Sequence, residues 1–121
     1  MGAPSYDLQI NQYANFGITF VWLTTPNPGI VGAQPTPVDL TGYTAMMQIK
    51  PSPRTNTIFY DASENIVLGG TSGTVALNIP GSATGGFTWW QGVYDILLIS
   101  ALGVVTRFLQ GSVSVSPGVT P

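Results

Sequence analysis

Asp7, Asp39, Asp61, Glu64 and Asp95 are the whole carboxylate inventory of this 121-residue chain. Two of them could hydrolyse a glycoside if they met across the fold at about 5–9.5 Å, one as acid and one as base or nucleophile. Nothing in their spacing brings such a pair together. Asp39 opens an Asp-Leu-Thr-Gly turn, and Asp61 and Glu64 lie near another. Carboxylates in turns accept hydrogen bonds from nearby backbone N–H groups, which accounts for them without chemistry. The cations are Lys50, Arg54 and Arg107, and there is no His and no Cys. Zinc and copper are excluded for want of ligands, and a Ser or Thr nucleophile would lack an imidazole base. Asp61-Ala-Ser-Glu64 is too sparse for a calcium loop. The glycine pairs beginning at Gly69 and Gly85 precede no phosphate-loop lysine. Three scattered cations cannot track a phosphate backbone, so nucleic acid is not an expected partner. No catalytic, metal or cofactor site is expected, and the chain does not read as an enzyme.

Contact chemistry remains. Trp89 and Trp90 stand together at the entry to an apolar run. Neighbours on a strand point to opposite faces, so one belongs to the core and the other to the surface or an interface. An exposed Trp could anchor a protein contact or stack on a sugar. The polar and charged groups that orient a glycan are scarce here, which favours protein. Tyr13 and Phe16 flank a loop and either serve a contact or pack it locally. On the strand expected over 93–100, Tyr94, Ile96 and Leu98 share one face, and Asp95, Leu97 and Ile99 the other. Both faces are largely apolar. Either the strand is central with its outer face covered, or Leu97 and its neighbours meet a partner.

The elements that must position these groups are short strands. Fifteen Gly and ten Pro punctuate the chain, and no segment holds a helical period, which is the pattern of a small all-β sandwich. Strands are expected at 6–10, 17–24 (Ile18, Phe20 and Trp22 on one face), 43–50 (Tyr43, Ala45, Met47 and Ile49 inward), 57–60, 66–68, 74–80 (Val75, Leu77 and Ile79 inward), 93–100 and 104–116. Gln110-Gly111 is a plausible bulge in the last. Asp39 and Gly42 mark a turn, 69–73 another, and 81–88 a crossover with at most one helical turn. Four prolines in 26–37 preclude a central strand there. That segment, which carries Pro28, Ile30 and Val31, is either an inert loop or a contact arm. The N-terminal arm (1–5) and the tail (117–121, with Val119) flank a single domain over 1–121.

Charged residues make up 7% of the chain, against about 25% in an ordinary soluble domain. So little charge suits a surface carried by Ser, Thr, Asn and Gln, or one buried against neighbours. Met1 to Asp7 has neither a basic nor an apolar region, so no secretory leader is expected. The longest apolar run, 96–99, is far short of a bilayer span.

Asp39-Leu-Thr-Gly-Tyr-Thr-Ala-Met-Met-Gln-Ile-Lys50, Leu68-Gly-Gly-Thr-Ser-Gly-Thr-Val75, Gly92-Val-Tyr-Asp95 and Val105-Thr-Arg-Phe-Leu-Gln-Gly-Ser-Val-Ser-Val-Ser116 together resemble short structural proteins of tailed bacteriophages. They are similar to the immunoglobulin-like N-terminal domain of phage upper-baseplate proteins. The resemblance spans most of the chain after Val38. It implies a single Ig-like antiparallel β-sandwich of about seven to eight strands, in a virion assembled in the host cytoplasm. It implies that Tyr94 takes the tyrosine-corner role, with Ile96 where a cysteine would stand. Met47 lies in the region where the family's strand Trp would be. The expected function is that of a non-enzymatic virion protein docking on capsid, tail or baseplate subunits, as homo- or hetero-oligomer. Tail or baseplate adaptor and capsid decoration protein both fit. The alternative is a carbohydrate-binding module of a receptor-recognition fibre.

Overall fold

Alternation of apolar and polar residues becomes alternation of burial. Thr74–Ile79 (β8) buries Val75, Leu77 and Ile79, while Gln91–Ile99 (β9) buries Tyr94, Ile96 and Leu98. Thr44–Lys50 (β5) buries Met47 and Ile49 and turns Thr44, Met46, Gln48 and Lys50 outward. The computed structural model describes residues 4–24 and 34–120, and these are all-β apart from one four-residue helix, Gly81–Thr84 (α1), and two 3₁₀ turns. The remaining strands are Leu8–Asn11 (β1), Phe16–Val21 (β2), Leu23–Thr24 (β3), Thr36–Pro37 (β4), Tyr60–Asp61 (β6), Ile66–Leu68 (β7) and Val105–Ser116 (β10).

They form a five-stranded sheet, ordered β1-β10-β9-β5-β6, and a three-stranded sheet, ordered β2-β8-β7. β3 and β4 make a separate ribbon. The buried faces of both sheets meet in one core that includes Ile49, Leu77, Ile96, Leu98 and Val113. Each such side chain contributes about 1.5–3 kcal/mol relative to exposure. Aromatic rings pack against this core and within it. Phe20 and Trp22 reach Phe108 across the sheets, and Phe87, Trp89 and Phe59 stack in series.

The structure corrects several expected boundaries. The first strand is Leu8–Asn11 rather than 6–10, with only an isolated bridge from Ser5 to Gln110 before it. It pairs parallel to β10, so the larger sheet is mixed where an antiparallel one was expected. The two strands come from opposite ends of the chain, and no hairpin dictates their direction. The strand expected over 17–24 divides: Phe16–Val21 stays with β8, whereas Leu23–Thr24 leaves to pair with Thr36–Pro37. The strand expected at 57–60 is reduced to Tyr60–Asp61, because the N–H of Thr57 is taken by the Thr55 hydroxyl.

The bulge lies between Arg107 and Leu109, not at Gln110-Gly111. The extra residue turns both Phe108 and Leu109 toward the core. Gln110 and Gly111 keep register because the N-terminal arm lies on them. The Tyr6 N–H donates to the Gln110 carbonyl at 2.9 Å, and a Cβ at Gly111 would collide with the Tyr6 carbonyl oxygen. At the Asp39 turn, the carboxylate accepts from the Thr41 N–H (2.9 Å) and hydroxyl (2.6 Å). Gly42 adopts φ +82° there, as the turn requires.

Candidate functional site

The outward face of the larger sheet is a candidate surface for a ligand or partner. Residues opposed in register project to the same side, so the pairings give cross-strand rows. Thr44, Ile99 and Val105 form one row; Met46, Leu97 and Arg107 the next; Gln48, Asp95 and Gln110 the third; Lys50, Val93 and Ser112 the fourth. The face thus has an apolar end and a polar end. β9 is central, between β5 and β10, yet no described element covers its outer side. Leu97 is half-buried among its strand neighbours, and Met46 and Val105 are 44% and 57% exposed. The β9–β10 turn extends the apolar end with Leu102 and Val104, Leu102 being 94% exposed.

The polar end is a groove of about 370 Å³ whose lining includes Ser5, Gln48, Lys50, Asp95, Arg107 and Gln110. Two of the chain's three cations meet there. Arg107 Nε lies 3.4 Å from Asp95 Oδ2, one row away, and both side chains remain largely solvated. Such a pair is worth at most about 1 kcal/mol. The groove offers amide donors and acceptors, one carboxylate and two cations, which suits a polar, uncharged or weakly anionic ligand. A carboxylate pair is not among its lining residues. Among the described residues, no group of three Asp, Glu, His or Cys side chains could hold a metal ion. No helix there is long and apolar enough to cross a membrane.

The expected contact residues scatter. Trp89 is buried, its ring 4.9 Å from both Phe59 and Phe87. Trp90 is 50% exposed on a bend before β9. The pair divides between core and surface as two neighbouring side chains must. Trp90 is not among the groove's lining residues. Phe16 is half-buried at the start of β2. Tyr13 takes a left-handed φ of 71°, and its ring lies between Gly85 and Gly118, where a Cβ would come within 2.6 Å. It therefore locks the 11–15 loop against α1 and the tail. Val119 projects fully into solvent. Pro28, Ile30 and Val31 lie outside the described residues.

Tyr94 departs from the tyrosine-corner expectation. Its hydroxyl donates to the Tyr6 carbonyl at 2.5 Å, 88 residues away, instead of to its own preceding corner. Burial pushes its phenol well above the ordinary range, helped by the charge of Asp7. Asp7 in turn accepts from the Ser112 N–H, which holds its carboxyl below the usual carboxylate range. Tyr94 and Asp7 together fasten the N-terminal arm across β10.

Gln12 is the residue that sequence reasoning missed. Its amide donates to the carbonyls of Gly85 and Phe87 and accepts from the N–H of Gly118. One side chain thus ties three distant segments, and a glutamine in a polar loop carries no sign of that role. The chain matches no protein-family model, and no curated protein is significantly similar to it.

Proposed function

We propose that this chain is a non-enzymatic structural protein of a tailed-phage virion, a tail or baseplate adaptor or a capsid decoration protein, built on an Ig-like sandwich. The strand order supports that fold. β2-β8-β7 follows the B-E-D order of an Ig sheet, and β10-β9-β5 the G-F-C order, with β6 in the C′ position. The parallel β1 and the rerouted Tyr94 hydroxyl are this chain's departures from that pattern.

The observation that carries the docking role is the apolar end of the outer face. Met46, Leu97, Ile99 and Val105 lie in adjacent rows and continue into Leu102 and Val104 at the turn. Arg107 is the one charge in those rows. Burying such a surface desolvates little polar area, and repetition in a symmetric particle multiplies modest contacts. The test is to purify particles, separate heads from tails and quantify this chain in each by mass spectrometry. Many copies with heads mean decoration, few with tails mean an adaptor or baseplate part, and absence from both rejects the virion role.

The polar groove favours a second reading, a carbohydrate-binding module of a receptor-recognition fibre. Trp90 does not line it, so stacking would have to come from elsewhere. Titration with host polysaccharides decides: heat released on binding, lost in Gln110→Ala, supports the module, and no heat with any of them rejects it.

A further inference from the structure

The smaller sheet ends on β2. The Trp22 N–H donates to the Gly73 carbonyl at 2.8 Å, in line with the β2–β8 register. Antiparallel hydrogen bonding alternates along a strand. Phe16, Ile18 and Phe20 therefore direct their N–H and C=O groups at β8, and Gly17, Thr19 and Val21 direct theirs away from it. β2 pairs with no other strand among the described residues. With six residues it is the longest of the edge strands, against four in β1, three in β7 and two in β6.

Soluble proteins blunt such edges with a charge, a proline or a bulge. Phe16–Val21 has none of the three, and no charged residue occurs anywhere between Asp7 and Asp39. Its outward side chains are Gly17, Thr19 and Val21, and its inward ones are half-buried at the rim of the core.

We infer that β2 pairs antiparallel with β2 of a second copy about a two-fold axis at Thr19, joining the two three-stranded sheets into one. The strand is self-complementary in this register. Thr19 faces its own copy, the bare Gly17 faces Val21 of the second copy, and Ile18 faces Phe20 of the second copy. The residues with free backbone groups then fall on hydrogen-bonded pairs, so every outward N–H and C=O of Gly17, Thr19 and Val21 gains a partner. Registers shifted by two residues leave one of the three outside the matched set. An ionised side chain here would meet its own like charge across the axis, and the strand carries none. The pairing uses a different surface from the virion contact, and it stands whether or not the chain belongs to a particle.

Sedimentation equilibrium of the full chain should give twice the chain mass at high micromolar loading. Thr19→Pro removes the N–H at the axis, which pairs with no strand among the described residues, and should weaken association at least about tenfold while leaving the circular dichroism spectrum unchanged. Thr19→Lys, which sets two like charges face to face, should do the same and covers the case where proline disturbs folding. Thr19→Cys, the only thiol in its chain, should form a disulfide-linked dimer on mild oxidation, because hydrogen-bonded antiparallel pairs hold their Cα atoms about 5.5 Å apart. Asn78→Cys, on the outer face of the neighbouring β8, should not. A wild-type chain that stays monomeric at every loading overturns the pairing. So does a dimer that survives both Thr19→Pro and Thr19→Lys, which would place the interface on another surface such as the apolar end of the larger sheet.

Discussion

At the scale of single residues, several polar side chains fasten parts of the chain to one another. Asp39 closes a turn, Asp61 accepts from the Ser63 N–H at 3.0 Å, Gln12 gathers three segments and Tyr94 holds the arm. The Tyr94 bond is the one whose loss should be easiest to read. Tyr94→Phe keeps the ring in the core but leaves the Tyr6 carbonyl without its donor. We expect a loss of about 1–2 kcal/mol in urea unfolding. Amide exchange at Tyr6 and Gln110, whose N–H groups bond Gln110 and Pro4, should quicken while the rest of the sheet keeps its protection. Equal acceleration everywhere would show that the hydroxyl does not act on the arm in particular.

At the scale of elements, the β9 entry shows how neighbouring residues of one type acquire different roles. Trp89 lies in the aromatic series with Phe59 and Phe87, whereas Trp90 stands half in solvent. Its carbonyl accepts from the Val115 N–H, a bond any residue could make. Trp89→Ala should therefore cost about 3–5 kcal/mol. Trp90→Ala should stay within about 0.5 kcal/mol of wild type. Thermal melts of the two variants side by side decide this, and comparable losses would mean that Trp90 too is structural. The β10 bulge works in the same way at the other side of the sheet: one extra residue turns Phe108 inward beside Leu109, and so supplies the ring that Phe20 and Trp22 pack on.

At the scale of the whole molecule, the charge-poor composition sets the pH response. The carboxyls of Asp7, Asp39 and Asp61 are held below their ordinary value of 3.8 by hydrogen bonds from Ser112, Thr41 and Ser63. Their contribution to stability is complete above the unfolded value and lost as pH falls through the folded ones. Tyr94 and Tyr60 are raised, chiefly by burial. Their contribution is complete below 10 and lost as pH rises through the folded values. With no His and no Cys, no side chain of ordinary pKa titrates in between. The melting temperature should be level from about pH 5 to 9, fall below about pH 4, and fall again in strong alkali. A melting temperature that changes between pH 6 and 8 would contradict this account.

Sequence alone determined what depends on neighbours in the chain. The two-residue period marked β5, β8 and β9 and their buried residues, Asp39 and Gly42 marked their turn, and the glycines and prolines marked where strands stop. The absence of His and Cys is likewise read from the chain alone, and with it the lack of imidazole and thiolate groups. Only the tertiary structure decided what depends on residues far apart. The parallel seat of β1 on β10, the reach of Tyr94 to Tyr6, the three-way hold of Gln12 and the polar groove all arise when distant strands come into register. Strand pairing is set by the shared core and by loop closure, so a local pattern specifies which face of a strand is buried but not which strand lies beside it. The open edge of β2 follows from both. Its uncharged, alternating residues are plain in the chain, and only the order of the sheet reveals that no other described strand lies along its outer edge.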